Sequence, residues 1–354
     1  MDIMQILEDA VRRRASDVFI VAGLPVSYKI NGAITRCDLK SLSPGDTEDL
    51  VRGIYALAGL RDISRVCLCG DDDFSFSVSG ISRFRVSAYK QRGSLSAVIR
   101  IVTFDMPNPD ELGIPGTVMS LADRTRGLVL VTGPAESGKS TTLACIIDRI
   151  NCSRSAHVIT LEDPLEYLHR HKKSIVSQRE INTDTESYAK ALRASLRQSP
   201  DVILLGEMRD YDTINVAMTA AETGHLVFST LHTVGAANTI DRIIDAFPPG
   251  QQYQIRVQLA MVLQAVVSQQ LVPTVNGDMA PAFEIMLVND AVRNMIRESK
   301  IHQIDSVIQS SAPAGMLAMD ASLLSLFKDG IISEREALIY SSYPEQMKKR
   351  MAAG

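Results

Sequence analysis

The sequence has no tryptophan, few other aromatic residues and no excess of positive charge. Its 354 residues carry 37 Lys and Arg against 41 Asp and Glu, a formal net charge of -4, and aromatic residues make up 5%. Proteins that bind single-stranded nucleic acid usually combine a basic face with interleaved aromatic side chains. The composition therefore argues against a nucleic-acid translocase and predicts no stable nucleic-acid binding.

Cysteines are few, and no two of them form a C-x-x-C pair. No histidine lies at zinc-finger spacing from them either. Reduced thiols in a cytoplasmic protein are the simplest interpretation. The five are Cys37, Cys67, Cys69, Cys145 and Cys152.

Long apolar runs are also missing. The most apolar stretch, residues 259–267, contains Gln264 and is far too short to span a bilayer. The N-terminus lacks the basic and apolar regions of a signal peptide. We therefore expect a cytoplasmic protein with no direct membrane insertion, which reaches any membrane through protein partners.

The length favours two domains and a small appendage. Residues 1–104 read as a small α+β domain, and residues 105–120 have the proline- and glycine-rich composition of a linker. Residues 121–288 alternate apolar strands with helices, which is typical of a parallel α/β sheet. Residues 289–354 are predicted to be helical.

Local patterns predict the elements of these domains. An amphipathic helix is expected near residues 3–11 and a hairpin around Asn31-Gly32, since this dipeptide strongly favours a two-residue turn. Alternation over residues 83–89 directs Phe84, Val86 and Ala88 inward. Further helices and strands are predicted at residues 47–57, 74–78, 95–102, 127–132, 158–161, 202–205 and 226–230, and a capping box at Ser333 and Glu336 opens the last helix.

A phosphate-binding loop follows the strand at residues 127–132. The segment G-P-A-E-S-G-K-S fits G-x-x-x-x-G-K-[ST] fully and opens a helix. Glycines let backbone amides converge on phosphates, Lys139 would reach the β- and γ-phosphates of ATP, and the Ser140 hydroxyl would ligate Mg²⁺. The predicted nucleotide-binding residues here are Gly133, Pro134, Ala135, Glu136, Ser137, Gly138, Lys139, Ser140 and Thr141.

Acidic residues and histidines flank the other predicted strands. In open α/β sheets, ligands lie beyond the carboxyl ends of the strands. There we assign Glu207 to the Mg²⁺ and water network and Glu162 as candidate base, although the two roles can be exchanged. Capping of a turn is the alternative for Glu162. His232 is a candidate γ-phosphate sensor and His225 a weaker nucleotide-binding candidate; both can equally be structural hydrogen bonders.

Several motifs in order resemble the PilT-type retraction ATPases of type IV pili, within the secretion ATPase superfamily. Residues 291–298, AVRNMIRE, are similar to the C-terminal motif that separates retraction from assembly ATPases, although a plain packing helix is the alternative for this segment. Besides the phosphate loop, the resemblance is carried by residues 15–17, 23–25, 83–86, 160–166, 204–210, 220–225, 230–233, 243–248 and 267–273.

The resemblance implies a homohexamer that hydrolyses Mg-ATP to power pilus retraction and twitching motility. Each subunit would have a PAS-like N-terminal domain, a RecA-like ATPase domain and a helical C-terminal region. The implied partners are an inner-membrane platform protein and other pilus ATPases, with the ring at the cytoplasmic face of that membrane. Arg83, Arg85 and Arg100 would help to contact phosphate, with solvent exposure or pairing to residues 71–73 as the alternative.

The sequence departs from the family pattern at the phosphate loop. Ala135 and Glu136 replace the usual threonine and glycine, and no histidine follows Ser16-Asp17. A weakly active or regulatory paralogue that assembles with an active motor is therefore a second hypothesis. A type II secretion or pilus assembly ATPase is a third, and the absence of a four-cysteine zinc module argues against it.

Overall fold

The computed structural model describes residues 2–30, 32–37, 40–102 and 104–352. The chain divides into two units, Met1–Asp105 with Leu165–Leu168, and Met106–Pro164 with His169–Gly354. Within the stretch expected to be a linker, Val118 and Met119 are buried. The domain limits read from the sequence stay predictions.

The first unit is built on one antiparallel sheet. Its elements are α1 (Ile3–Arg12), β1 (Asp17–Ile20), β2 (Ser27–Ile30), β3 (Ala33–Arg36), α2 (Pro44–Leu57), α3 (Ser64–Cys69), β4 (Asp71–Val78), β5 (Ser82–Gln91) and β6 (Ser94–Val102). Within the described residues the strand order is β3-β2-β1-β6-β5-β4. The α+β character predicted for this part of the chain is confirmed.

Most predicted elements of the first unit are present. Helix α1 buries the apolar face that defined it, and β5 buries Phe84, Val86 and Ala88. The prediction missed β1 and α3, which are four and six residues long and leave too little periodic pattern to detect. The hairpin of β2 and β3 is confirmed, with Gly32 at a positive φ, while Asn31 lies outside the described residues.

The second unit contains a mixed sheet and helices. Its first elements are α4 (Gly116–Met119), β7 (Gly127–Thr132), α5 (Lys139–Ser153), β8 (His157–Glu162), β9 (Ile175–Glu180), α6 (Tyr188–Ser195), β10 (Val202–Leu205), α7 (Tyr211–Glu222), β11 (Leu226–Leu231), α8 (Ala236–Asp245) and α9 (Gln252–Val262). They are followed by β12 (Leu263–Pro273), β13 (Met279–Leu287), α10 (Asp290–Arg297), α11 (Ile304–Ser310), α12 (Met319–Lys328), α13 (Glu334–Tyr340) and α14 (Pro344–Ala352).

The sheet of the second unit has the order β13-β12-β7-β11-β10-β8-β9 within the described residues. All neighbours run parallel except β12 and β13. Every residue of β7, β10 and β11 is buried, as expected for parallel strands covered on both faces. The α/β class with a helical C-terminal region is confirmed.

Three strands of this sheet were not predicted. β9 carries mostly polar side chains, and β12 begins directly after α9 without any turn residue between them. The apolar run at residues 259–267 therefore crosses from helix to strand, which periodicity alone cannot divide. β13 pairs with β12 and completes the edge of the sheet.

Helices α12, α13 and α14 pack over β12 and β13. Their shared apolar cluster includes Val272, Ala282, Met319, Leu323, Ile332, Ala337 and Met347. Ser333 accepts a hydrogen bond from the backbone of Glu336 at the start of α13, which is one of the two bonds of the predicted capping box, and α14 follows this helix. Among the residues that the structure describes, no helix combines the length and the apolar character needed to cross a membrane.

Candidate active site

The phosphate loop lies between β7 and α5, in the context that the motif requires. Gly133 has φ +141° and Gly138 has φ +85°. A Cβ on Gly133 would lie 2.1 Å from the carbonyl oxygen of Gln269, and one on Gly138 would lie 2.8 Å from Nε2 of the same residue. Both positions therefore require glycine, for backbone conformation and for space.

Gln269 on β12 supports this loop and was missed by the sequence analysis as a functional residue. Its side chain is buried, and Oε1 accepts a hydrogen bond of 2.7 Å from the Thr142 hydroxyl on α5. The only signal was its place in the family-like segment 267–273, because the contact joins residues 127 positions apart.

Lys139 and Ser137 face the inside of the loop. The Lys139 ammonium is largely buried and donates to the carbonyl oxygens of Gly133 at 3.0 Å and Pro134 at 2.6 Å. The Ser137 hydroxyl is buried and has no hydrogen-bond partner among the described residues. A buried hydroxyl of this kind calls for a polar ligand, and a phosphate oxygen fits it.

Glu136 is exposed at the crest of the loop and has φ +61°. This is the left-handed region, where glycine is favoured over residues with a Cβ. The backbone geometry thus explains why a glycine is usual here, and it shows that the loop keeps that geometry with glutamate in place.

The other predicted groups meet at the carboxyl ends of neighbouring strands. Thr132 pairs with Leu231, and Leu205 pairs with Ser229 and Leu161, so neighbouring strands end within two residues of each other. The groups at their ends are the phosphate loop after β7, His232 after β11, Glu207 after β10 and Glu162 at the end of β8. A single edge of the sheet therefore presents all of them.

Glu207 lies at the centre of this edge. Its carboxylate contacts Nε of Arg209 at 2.5 Å and Nε2 of His232 at 3.5 Å, and its side chain is mostly buried. A histidine beside a carboxylate gains a favourable partner whenever it is protonated. The structure thus brings together two residues that the sequence placed on different strands.

Tyr188, on α6, is a second residue that the sequence analysis missed. Its Oη atom would lie 2.8 Å from a Cβ on Gly206, the residue before Glu207. Burial raises the pKa of the Tyr188 hydroxyl, and the charges of Glu207, Asp163 and Glu162 raise it further. The hydroxyl therefore stays neutral among the carboxylates, as a potential hydrogen-bond donor.

His225 lies at the opposite edge of the sheet. Its Nδ1 contacts the Ala220 carbonyl at 2.9 Å, and its own carbonyl accepts from the backbone of Gly127, where β7 begins. The six residues of β11 separate it from the phosphate-loop edge by roughly 20 Å. The nucleotide-binding role of His225 stays a prediction, at a place far from the phosphate loop of the same chain.

The three predicted arginines lie in the sheet of the first unit. Arg85 and Arg100 are direct cross-strand partners on β5 and β6. Nε of Arg100 pairs with Asp17 at 3.0 Å, and Arg83 donates to the Ser77 hydroxyl at 3.3 Å. Like charges placed opposite each other are unfavourable in a sheet, so this pair favours an anionic partner. Their contact with phosphate stays a prediction.

A cavity of about 530 Å³ opens beside the phosphate loop within the second unit. Thr141 and Gly138 line it on the side of the loop, and Leu112, Leu271 and Ile331 contribute apolar walls. This volume lies within the range of small-molecule sites. The cavity offers a mostly apolar space for the remainder of a nucleotide whose phosphates bind the loop.

The family-like segment 291–298 forms most of α10 and packs against α9. Nη1 of Arg293 donates to the carbonyl oxygens of Ala260 at 2.5 Å and Met261 at 3.1 Å, near the end of α9. Arg297 is exposed, and its described hydrogen bond stays within its own helix. Arg293 therefore has a structural contact, whereas Arg297 is open to a partner.

Comparison with known protein families gives a match over residues 1–310 to the family of type II/IV secretion system proteins. The chain is 42% identical over 345 residues to a type IV pilus retraction ATPase, PilT, of Pseudomonas aeruginosa, covering 98% of this chain and 99% of PilT. It is 37% identical over 355 residues to the type IV pilus ATPase PilU of the same species, covering 100% and 92%.

Comparison with solved structures agrees with the sequence comparison. A crystal structure of the pilus retraction motor PilT with bound ADP superposes with a TM-score of 0.89 at 44% identity, covering 99% of each chain. This likeness extends over nearly the whole chain. The relative therefore holds an adenine nucleotide on the same fold.

Proposed function

The chain belongs to the type II/IV secretion system protein family, and we propose that it is an ATPase motor that powers retraction of a type IV pilus. One observation carries this function: the phosphate loop, two glutamates and a histidine lie at one edge of four neighbouring parallel strands. Twitching motility is the cellular movement that such retraction would drive.

The phosphates of ATP bind the loop of residues 133–140. Its backbone amides and the N-terminus of α5 attract the anion. Lys139 exchanges its bonds to the loop carbonyls for bonds to phosphate oxygens, and the buried Ser137 hydroxyl gains an acceptor. The base and ribose enter the adjoining cavity, which Gly138 and Thr141 line on the side of the loop.

Ser140 and Glu207 are the residues proposed to hold Mg²⁺. One hydroxyl and one carboxylate suit this ion, which keeps several waters and takes further oxygens from substrate phosphates. Within the described residues no group of three or more acidic, histidine or cysteine side chains forms a metal cage, in keeping with such a site. The ion would supply charge neutralisation on the phosphates.

Glu162 is the proposed base, and Glu207 with His232 orients the groups around it. A carboxylate at a strand end can accept the proton of the attacking water, and the two glutamates can exchange these roles. His232 lies against Glu207, so a change at the γ-phosphate can reach both side chains. Positioning and charge stabilisation supply most of the rate enhancement in phosphoryl transfer.

The proposed assembly is a homohexamer at the cytoplasmic face of the inner membrane. An inner-membrane platform protein of the pilus receives the motion, and other pilus ATPases are further partners. Arg83, Arg85 and Arg100 are proposed to contact phosphate within the ring, where the facing Arg85 and Arg100 gain an anionic partner.

Glu136 supports a second candidate function, an accessory ATPase that works with an active motor. A carboxylate in the loop that binds an anion opposes nucleotide binding, and the residue is exposed in a left-handed conformation.

The decisive experiment measures ATP hydrolysis on a sample whose oligomeric mass is determined at the same time. Lys139→Ala and Glu207→Gln are each expected to lower kcat roughly 100-fold, because each removes a group that stabilises or prepares the transition state. Lys348→Ala, which changes an exposed lysine on α14, is the matched control and keeps full activity.

Unaltered hydrolysis in both site variants would refute the site assignment. The two candidate functions separate in cells that lack their own retraction ATPases. A motor restores twitching motility when it is expressed alone, whereas an accessory protein restores it only together with an active motor.

A further inference from the structure

We propose that Glu284 is a positioning residue that joins the turn after β11 to the C-terminal helices, so that both follow the nucleotide state. The turn is defined as residues 232–236, and the C-terminal helices are α12, α13 and α14. The inference rests on the proposed ATPase function, because that function gives His232 its role.

Glu284 links two elements through its buried carboxylate. Oε1 accepts a hydrogen bond of 2.7 Å from the backbone N–H of Ala236, the first residue of α8. The carboxylate also faces the backbone of Met319, the first residue of α12, and the two residues line one small cavity. Burial raises the pKa of Glu284, and the hydrogen bond from Ala236 opposes this rise. One side chain therefore contacts two helix starts.

The turn has a second, independent anchor on β12. The backbone N–H of Gly235 donates to the hydroxyl of Ser268 at 2.9 Å, and Ser268 is fully buried. Two successive backbone amides thus bind two neighbouring strands, β12 through Ser268 and β13 through Glu284. Ser268 and Glu284 both hold the turn to the sheet. Of these two anchors, only Glu284 also links the turn to α12.

The start of the turn lies at the edge of the sheet that carries the phosphate loop, Glu207 and Glu162, which we call the catalytic edge. His232 is its first residue, and its Nε2 atom lies 3.5 Å from the Glu207 carboxylate. Displacement of His232 by the γ-phosphate therefore moves a segment whose other end is bonded to Glu284. Coupling of this kind travels through contiguous packed and hydrogen-bonded groups.

The C-terminal helices are in turn connected to one another. Asp320, next to Met319, accepts from the backbones of Ser342 at 2.8 Å and Tyr343 at 3.2 Å, just before α14. The same three helices share an apolar cluster over β12 and β13. A shift at the start of α12 is therefore transmitted to α14.

The test compares three variants of the full-length protein. Glu284→Gln keeps the size of the side chain but loses the charge, so it can no longer accept equally from both backbone amides. Ser268→Ala removes the other anchor of the turn and leaves the link to α12 in place. Asp320→Asn makes the same carboxylate-to-amide change within the C-terminal helices and is the matched control.

The readouts are steady-state hydrolysis and amide hydrogen exchange with and without a slowly hydrolysed Mg-ATP analogue, which carries the γ-phosphate. In the wild type, the analogue slows exchange in residues 231–239 and in residues 319–328. Glu284→Gln lowers kcat about tenfold with KM for ATP changed less than about twofold, as expected for loss of hydrogen bonds to a charged group. It also abolishes the response of residues 319–328 to the analogue.

The other variants separate coupling from a general loss of packing. Ser268→Ala lowers kcat but keeps the response of residues 319–328, and Asp320→Asn changes neither. A retained response in Glu284→Gln, or no response in the wild type, overturns the inference. If Glu284→Gln does not fold, Glu284→Asp is measured in the same way, and a full wild-type response in that shortened variant also overturns it.

The experiment also keeps this inference apart from the proposed function. A wild type that binds the analogue without hydrolysing ATP removes the proposed motor activity. The exchange response of residues 319–328 to the analogue still decides whether Glu284 couples the two segments.

Discussion

Replacing Glu136 by glutamine is predicted to tighten the binding of Mg-ATP about fivefold. Glu136 is an exposed carboxylate in the phosphate loop, at a position where the backbone is left-handed. Glutamine keeps the length of the side chain and the presence of a Cβ, so only the charge changes. The substitution therefore measures the electrostatic cost of the carboxylate.

The magnitude follows from Coulomb's law. At a separation of ~8 Å in water-like dielectric, two unit charges interact by about 0.5 kcal/mol, and Mg-ATP carries about two negative charges. The repulsion is then about 1 kcal/mol, which corresponds to about a fivefold change in Kd. Salt screens exposed charges with a Debye length of about 8 Å at physiological ionic strength, so the effect shrinks as salt is added.

Glu136→Gly adds a conformational comparison. Glycine removes the conformational energy of a left-handed residue in the folded loop, about 1 kcal/mol. It also raises the conformational entropy of the unfolded chain, which offsets about 0.5–1 kcal/mol of this stabilisation. We therefore expect its Tm to stay close to that of the wild type and its affinity to match that of Glu136→Gln. Tighter binding by the glycine variant alone would show that backbone geometry and not charge limits affinity.

Calorimetric titration with a slowly hydrolysed Mg-ATP analogue, at low and at high salt, is the assay. Glu222→Gln is the matched control, since it removes one exposed carboxylate from the end of α7. Equal affinities for wild type and Glu136→Gln at low salt, or an equal gain in the control, would refute the reasoning.

Three further predictions test other parts of the second unit. In steady-state assays, Gly206→Ala should lower kcat at least about tenfold, because the new Cβ would lie 2.8 Å from Oη of Tyr188. The double variant with Tyr188→Phe should recover part of this rate. Arg293→Ala should lower Tm by about 3 °C through lost bonds to the carbonyls ending α9, while Arg297→Ala leaves calorimetric Tm unchanged. Burial lowers the pKa of His169 from 6.5 to about 4, so the unfolded chain takes up the proton first as the pH falls. The free energy of unfolding should therefore decrease by up to about 3 kcal/mol between pH 6.5 and pH 4. Denaturant titrations of His169→Phe should lose this pH dependence.

The catalytic edge could be predicted from the sequence because its signals are local. The glycine spacing of the phosphate loop, and acids that directly follow short apolar runs, need only the rule that parallel strands present their carboxyl ends together. The same rule places His225 at the other edge of the sheet. It stands before β11 and not after it, and the length of the strand separates those two positions by roughly 20 Å.

The supporting residues could not be predicted, because their roles depend on distant contacts. Tyr188 sits on a helix whose own pattern says nothing about Gly206. Glu284 looks like an ordinary polar residue in an unpredicted strand, yet it bonds to the start of α8 and lies beside the start of α12. Burial and pairing of this kind follow from tertiary packing, which sequence periodicity does not contain.

Two successive residues of β12 position both the phosphate loop and the turn that carries His232. Side chains alternate across a strand, so Ser268 reaches the turn after β11 while Gln269 reaches the phosphate loop and α5. The pairing of β12 with β7 shifts register between Leu263 and Ala265, before these two residues. Because a slip of one residue exchanges the faces of a strand, this irregularity decides which side chain meets the loop. Phosphate binding and the position of His232 are thereby fixed together.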